Sequence, residues 1–165
     1  MLRADSLLFA AVTGLFGLIF GSFLNVVISR LPLMLERAWR NECMELFPLD
    51  KDGFVSPLAS GPSERFNLAT PRSYCPSCGR QLLAVENIPI LSYLMLRGRC
   101  SSCKAPIPMR YPAVEFLTGV MTGIAAWHFG FSLAAAGAVL LTCTLVALTF
   151  IDFEHQLLPD SITLP

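Results

Sequence analysis

Three long apolar stretches and one long polar region form the hydrophobic pattern of this chain. Leu7–Ile28 holds 22 residues without a charge, and at about 1.5 Å of rise per residue such a helix spans roughly 33 Å, enough to cross the hydrocarbon core of a bilayer. Tyr111–Phe129 has 19 residues with one formal charge, at Glu115, and Phe131–Ile151 has 21 residues with none. The pattern predicts an all-α polytopic membrane protein with three transmembrane helices.

The first apolar stretch is interpreted as a membrane anchor. It is longer than the apolar region of a cleaved signal peptide, which is about 7 to 15 residues, and no small-residue cleavage site follows it. Within it Gly17 and Gly21 form a GxxxG pair, which lets a second helix approach closely. Asn25 lies near the end of the span, where a polar amide requires an interhelical partner or an interfacial position.

The same pattern divides the chain into four parts. Residues 1–29 are the first transmembrane helix, and residues 30–110 are a polar loop in which Leu33–Leu49 has the mixed pattern of a short surface helix. Residues 111–151 are a transmembrane hairpin, because the turn between its two apolar runs is short. Residues 152–165 begin the next polar segment.

Composition supports this interpretation and indicates an orientation. The chain is 54% hydrophobic and only 15% charged, whereas charged residues make up about a quarter of soluble domains. Eleven of its twelve Lys and Arg residues lie within residues 30–110, together with seven acidic residues. Arg30, Arg37 and Arg40 follow the first helix and only Arg3 precedes it, so the positive-inside rule predicts that the 30–110 loop is cytosolic.

Two CxxC pairs within this loop are the strongest chemical signal. Cys75 and Cys78 form the first pair, Cys100 and Cys103 the second, and residues 79–99 separate them. Four thiolates with this spacing can surround one tetrahedral zinc ion, while disulfides are the alternative. A reducing cytosol disfavours disulfides, so we predict a zinc-binding domain at residues 75–103. Four protein ligands leave no open coordination position, which indicates a structural zinc ion.

Two carboxylates in or beside the apolar stretches are further candidates. Asp152 lies where the third stretch meets polar sequence, and a helix that continues for one more turn would place His155 on the same face. An interfacial charge cluster that holds the helix in place explains these residues equally well, since a single carboxylate lacks the partner that aspartic proteolysis needs. Glu115 lies near a helix N-terminus, where the helix dipole favours a carboxylate, and a functional membrane carboxylate is the secondary interpretation. Cys43 and Cys143 have no spaced partner and are interpreted as small apolar residues.

Four motifs in order resemble a known family. They are GSFLNVVISRLP at Gly21–Pro32, CPSCGRQLLAVENIPILSYLMLRGRCSSCKAPI at Cys75–Ile107, RYPAVE at Arg110–Glu115 and IDFEHQLLPD at Ile151–Asp160. With them, essentially all 165 residues resemble the N-terminal part of the type IV prepilin leader peptidase/N-methyltransferases.

The resemblance implies a GxGD-type aspartic protease of the bacterial inner (cytoplasmic) membrane. Such enzymes cleave leader peptides from prepilins and pseudopilins at the cytoplasmic face, and many methylate the new N-terminus with S-adenosylmethionine. Asp152 matches the first catalytic aspartate of the family, and the four cysteines match its zinc ligands. The second aspartate belongs to a GxGD motif that this sequence does not contain. The resemblance therefore implies a C-terminal membrane half that this chain needs for activity.

Two other classes of function are compatible with parts of the sequence. The absent second aspartate favours a non-catalytic, membrane-anchored zinc scaffold of a pilus or type II secretion system. CxxC pairs are also common in nucleic-acid-binding zinc ribbons, but the loop has a modest excess of four positive charges and lacks a stripe of aromatic and basic residues. The expected partners are therefore prepilin and pseudopilin substrates and membrane lipids, and not nucleic acid.

Overall fold

The computed structural model describes residues 2–46, 67–70 and 72–156. This part of the chain is helical, with two isolated β-bridges. The helices in chain order are α1 (Leu2–Leu46), a 3₁₀-helix (Ala84–Asn87), α2 (Leu91–Met95), α3 (Arg110–Phe129) and α4 (Leu133–His155).

Helix α1 is longer than the sequence pattern predicts. Its 45 residues correspond to about 68 Å, more than twice the thickness of a hydrocarbon core. It joins the predicted span at Leu7–Ile28 to most of the predicted surface helix at Leu33–Leu49, whose last three residues lie outside the described part. The two segments are one helix that passes through the buried Pro32, where the missing N–H removes one helical hydrogen bond.

Small residues determine how α1 packs against α3. Gly14 lies against Gly119, and Gly21 lies against Glu115, so the two helices run antiparallel. A Cβ at Gly21 would lie 2.7 Å from the Cα of Glu115, and one at Gly17 would overlap a threonine side chain of α3. The close approach predicted from the GxxxG pair is confirmed.

The predicted partner of Asn25 is also present. Asn25 is 3% exposed, and its Nδ2 donates to the carbonyl oxygen of Tyr111 at 3.0 Å. This bond connects α1 to the first turn of α3. An amide that would be costly to bury alone thereby contributes to the register of the two helices.

Helix α4 completes the core at one end of the α1–α3 pair. Ile28, Val114 and Ile151 are fully buried there, one from each long helix. Cys143 is buried in the same cluster, as expected for an ordinary apolar residue, whereas Cys43 is exposed near the end of α1. The three long helices therefore share a single apolar centre.

The turn between α3 and α4 is short, as predicted. It passes through Gly130, whose φ of 60° suits glycine. Ser132 then caps α4, and its hydroxyl accepts a hydrogen bond from the N–H of Ala135 at 3.2 Å. At the other end of α3, Pro112 lies in the first turn, where a missing N–H has little cost.

Two of the described helices are long and apolar enough to cross a membrane: Ser6–Cys43 of α1 and Leu133–His155, which is α4. Large apolar side chains are exposed on all three long helices; they include Leu8, Phe16, Ile19, Phe116, Trp127, Leu133 and Leu140. These features indicate a membrane protein. Helix α3 is not one of these two, and its sequence includes Pro112, Glu115 and His128. Its crossing of the membrane stays a prediction.

Candidate metal centre and the acidic end of the helix hairpin

The structure brings the four predicted cysteine ligands together. Their sulfur atoms all lie within 4.8 Å of one another, and the sulfurs of Cys75 and Cys103 are 3.8 Å apart. A tetrahedral ion with Zn–S bonds of about 2.3 Å separates its sulfur ligands by about 3.8 Å. The described cysteines are free thiols rather than disulfides. The arrangement therefore fits a metal ion such as zinc.

The first cysteine pair lies on a tight turn closed by backbone hydrogen bonds. The N–H of Gly79 donates to the carbonyl oxygen of Cys75 at 2.9 Å, and the N–H of Cys75 donates to the carbonyl oxygen of Arg80 at 2.9 Å. A β-bridge between Tyr74 and Gln81 closes the base of this turn. The turn directs both thiols of the pair to the same side, as a metal site requires.

The second pair repeats this geometry 25 residues later in the chain. Lys104 N–H donates to Cys100 O at 3.1 Å, Cys100 N–H donates to Ala105 O at 2.8 Å, and a β-bridge joins Arg99 to Pro106. The residue after the second cysteine has a positive φ in both turns, 69° at Gly79 and 59° at Lys104. We call these two turns the first and second knuckles, and residues 72–109 the cysteine module.

Backbone N–H groups within the knuckles favour thiolates. The N–H groups of Cys103 and Ser102 lower the pKa of the Cys100 thiol to about 6. In the first knuckle, the N–H groups of Ser77 and Cys78 likewise lower the pKa of Cys75. At Cys103 the N–H of Ala105 also lowers the pKa, but burial and the neighbouring thiols outweigh it and raise the pKa to about 11. Four adjacent thiolates repel one another, so a bound cation is needed for all of them to ionise.

A polar brace joins the two knuckles, and the sequence patterns did not reveal it. Arg80 from the first knuckle donates to the hydroxyl of Ser101 in the second, and pairs with Glu86 at 3.2 Å. Ser101 in turn donates to Glu86, as does the N–H of Leu83 at 2.9 Å. The hydroxyl of Ser101 and the N–H of Leu83 lower the pKa of Glu86 below its usual value. The brace holds the knuckles in register independently of the sulfur ligands.

Asp152 lies in the last turn of α4, which continues to His155 as the sequence argument required. Its side chain is exposed, although the preceding Ile151 is fully buried. The turn is held by an ion pair between Glu154 and Arg110 at the start of α3. The helix ends at Gln156, whose N–H donates to the carbonyl oxygen of Asp152 at 2.8 Å. Asp152 is thus an exposed carboxylate in the last turn of an apolar helix.

The structure does not bring Asp152 into the cysteine cluster. Among the described residues, the four cysteines are the one group of three or more His, Cys, Asp or Glu side chains close enough to share a metal ion. The cysteine module and Asp152 are connected through α3, which starts directly after the module at Arg110 and contacts the end of α4 there.

Comparison with known proteins gives a consistent result. Residues 15–129 match the sequence profile of the bacterial peptidase A24 N-terminal domain. Proteins named prepilin leader peptidase/N-methyltransferase from Stutzerimonas stutzeri, Pseudomonas aeruginosa and Neisseria gonorrhoeae are 48%, 47% and 50% identical to the chain. These matches cover 99%, 99% and 90% of this chain but 54%, 54% and 50% of the relatives. The chain therefore spans about half the length of the curated relatives it matches. No solved structure matches it.

Proposed function

The chain belongs to the bacterial peptidase A24 N-terminal domain family, and we propose that it is the N-terminal portion of a prepilin-processing enzyme of the bacterial inner membrane. The observation that carries this proposal is the 48% identity to a prepilin leader peptidase/N-methyltransferase over 99% of the chain. The whole protein would cleave leader peptides from prepilins and pseudopilins and then methylate the new N-terminus, with S-adenosylmethionine as the methyl donor. The remaining half of the relatives' length would supply the rest of the active site.

Asp152 is the catalytic residue that this chain contributes to the proposed peptidase. Aspartic proteolysis needs two carboxylates, one ionised to activate water and one protonated to polarise the scissile carbonyl. Asp152 is accessible to water, lies at the boundary between apolar and polar sequence, and is held by a helix whose last turn is fixed to α3. The second aspartate would come from the C-terminal half.

The proposed topology places the cysteine module and Asp152 on the cytosolic side. Helix α3 starts directly after the module, and α4 returns across a turn of three residues, so both features lie at the same end of the hairpin. The ion pair between Arg110 and Glu154 supports this, because it joins that end of α3 to that end of α4. Helix α3, with 20 residues and about 30 Å of length, would be the second of three membrane spans, between α1 and α4.

A zinc ion in the cysteine module would have a structural role. Cys75, Cys78, Cys100 and Cys103 would fill its four coordination positions and leave none for substrate or water. When bound, the ion supplies the positive charge that lets all four thiols ionise. The residues of the chain do the rest: the backbone bonds of each knuckle orient the sulfur atoms, and the polar brace aligns the two knuckles.

The role of Asp152 can be tested in a protein that joins this chain to the C-terminal half of a relative, such as the one from Pseudomonas aeruginosa. Asp152→Asn should lower the rate of leader cleavage by about 100-fold or more, because the variant cannot take part in proton transfer. Gel mobility of a reconstituted prepilin measures cleavage. Glu36→Gln, which also removes an exposed carboxylate from a helix, should cleave normally.

Two results would contradict the proposal. Unchanged cleavage by Asp152→Asn would remove Asp152 from the mechanism. Stable prepilin binding by the joined protein without any cleavage would favour the alternative of a non-catalytic scaffold.

The zinc site can be tested by metal analysis of protein purified under reducing conditions. About one zinc ion per chain is expected for a four-thiolate site. Cys100→Ser should lose the metal, whereas Cys143→Ser should retain it, because Cys143 is buried among apolar side chains of the helical core. A titration in which all four module thiols react and no metal is found would contradict a zinc site.

A further inference from the structure

Glu115 is a buried carboxylate whose position the helix dipole does not explain. Glu115 is only 8% exposed. A buried charge is costly unless other groups compensate for it. Because α3 begins at Arg110, Glu115 lies in the second turn of the helix, and the dipole effect is strong only in the first. The dipole interpretation made from the sequence is therefore insufficient, and the carboxylate needs specific partners.

Glu115 is contacted from two other parts of the chain. Its Oε2 accepts a hydrogen bond from the N–H of Ile90, in the cysteine module, at 2.7 Å. Helix α1 packs closely beside it at Gly21, where an added Cβ would lie 2.7 Å from the Cα of Glu115. Glu115 thus lies where α1, α3 and the segment that leads into α2 meet.

The backbone of Ile90 is strained where Glu115 binds it. Its φ is 56° and its ψ is −45°, a region in which the Cβ of a β-branched residue is crowded against the backbone. Such a conformation persists only when the surroundings hold it in place. The hydrogen bond from the Ile90 N–H to the Glu115 carboxylate is one contact that holds this conformation in place.

We propose that Glu115 is a positioning residue that latches the cysteine module onto the α1–α3 pair. Ile90 lies between the two knuckles, so fixing its N–H orients the module relative to the membrane helices. The same helix contacts the end of α4 through Arg110, which makes α3 the common reference for the module and the Asp152 turn. This role is independent of peptidase activity and of which metal the cysteines bind.

Hydrogen exchange measured by mass spectrometry tests the latch, with the full chain reconstituted in lipid nanodiscs. Glu115→Ala should raise exchange in the 88–96 segment by about tenfold, as expected when a buried hydrogen bond is lost. Exchange in both knuckles and the zinc content should stay unchanged, because neither depends on the latch.

Three further variants separate the latch from a general loss of folding. Glu115→Gln keeps a carbonyl acceptor of the same reach and should exchange like the wild type. Glu115→Asp keeps the charge but is one methylene shorter, so it should exchange like Glu115→Ala. Ser22→Ala changes a small polar side chain of α1 next to Gly21 and should leave the 88–96 segment protected. Equal exchange in the Asp and Gln variants, or a uniform rise across the module and helices, would overturn the proposal.

Discussion

Lys104 occupies a backbone position that the first knuckle gives to glycine. Its φ is 59°, and the equivalent Gly79 has a φ of 69°. A left-handed conformation costs an ordinary residue about 1–2 kcal/mol, and costs glycine almost nothing. The two knuckles therefore have the same hydrogen-bonded shape but unequal intrinsic stability.

Lys104→Gly should stabilise the zinc-loaded module by about 1 kcal/mol, because it removes this backbone strain. Gly79→Ala should destabilise it by about the same amount, since a Cβ at Gly79 meets no atom within 4 Å and only the backbone cost remains. Both effects can be measured by unfolding the protein in urea while the release of zinc is monitored. Shifts of the same sign in the two variants would show that the positive φ does not determine stability.

The placement of single residues was predictable where their neighbours in the sequence define it. The ligand spacing identified Cys75 and its three partners, and the end of an apolar run drew attention to Asp152. Glu115 was visible as a charge, but not as a latch, because Ile90 is 25 positions away and contributes only a backbone N–H. Every residue except proline has a backbone N–H, so the residue type at position 90 does not indicate this contact.

At the scale of helices, the close α1–α3 interface depends on glycines, which have no Cβ atom. The missing Cβ atoms of Gly17 and Gly21 allow the two helices to approach closely. The threonines opposite satisfy their own hydroxyls within α3, where Thr118 donates to Val114 O and Thr122 donates to Thr118 O. The interface is therefore tight without requiring a polar bond at every turn.

Gly17→Ala should destabilise the helical core by about 1–3 kcal/mol, because the added Cβ overlaps Thr122 and one of the helices must move. Gly137→Ala on α4 is the matched control. No atom lies within 4 Å of its added Cβ, so it should be neutral or slightly stabilising through helix propensity. The difference in stability between the two variants can be measured by circular dichroism during unfolding in mixed detergent micelles. Equal stability of the two variants would contradict this account of the packing.

Helix existence was predictable from the apolar runs, whereas the continuity of α1 was not. Pro32 and the charges beyond Arg30 favour an interruption when they are read locally. In the structure Pro32 is fully buried, so tertiary packing offsets the hydrogen bond that proline cannot make. Local propensity is a weak guide where burial opposes it.

At the scale of the whole molecule, the hairpin places the cysteine module and Asp152 at one end and the α3–α4 turn at the other. The charge asymmetry around α1 predicts that the first end faces the cytosol. The ion pair between Arg110 and Glu154 keeps the chain-distant parts of that end together. If the proposed function and this orientation hold, leader peptides would reach Asp152 from the cytosolic side.

An epitope tag inserted at Gly130 should be accessible to antibody in spheroplasts, because this turn is predicted to face away from the cytosol. Gly130 tolerates insertion, since no atom lies within 4 Å of its Cβ position. A tag at residues 50–62 of the polar loop should react only in inverted membrane vesicles. Labelling of both tags from the same side would refute the proposed topology and the crossing by α3.

The sequence by itself determined the helical class of the protein, the cysteine quartet and the position of Asp152. Each of these follows from patterns within one segment or from a repeated short turn. Tertiary structure alone decided the bond between Asn25 and Tyr111, 86 positions apart, the brace between the knuckles, and the latch between Glu115 and Ile90. The first and the last of these contacts depend on the register of the packed helices, which is set by steric fit at small residues. The brace depends on how the two knuckles fold together, and no single segment encodes any of the three.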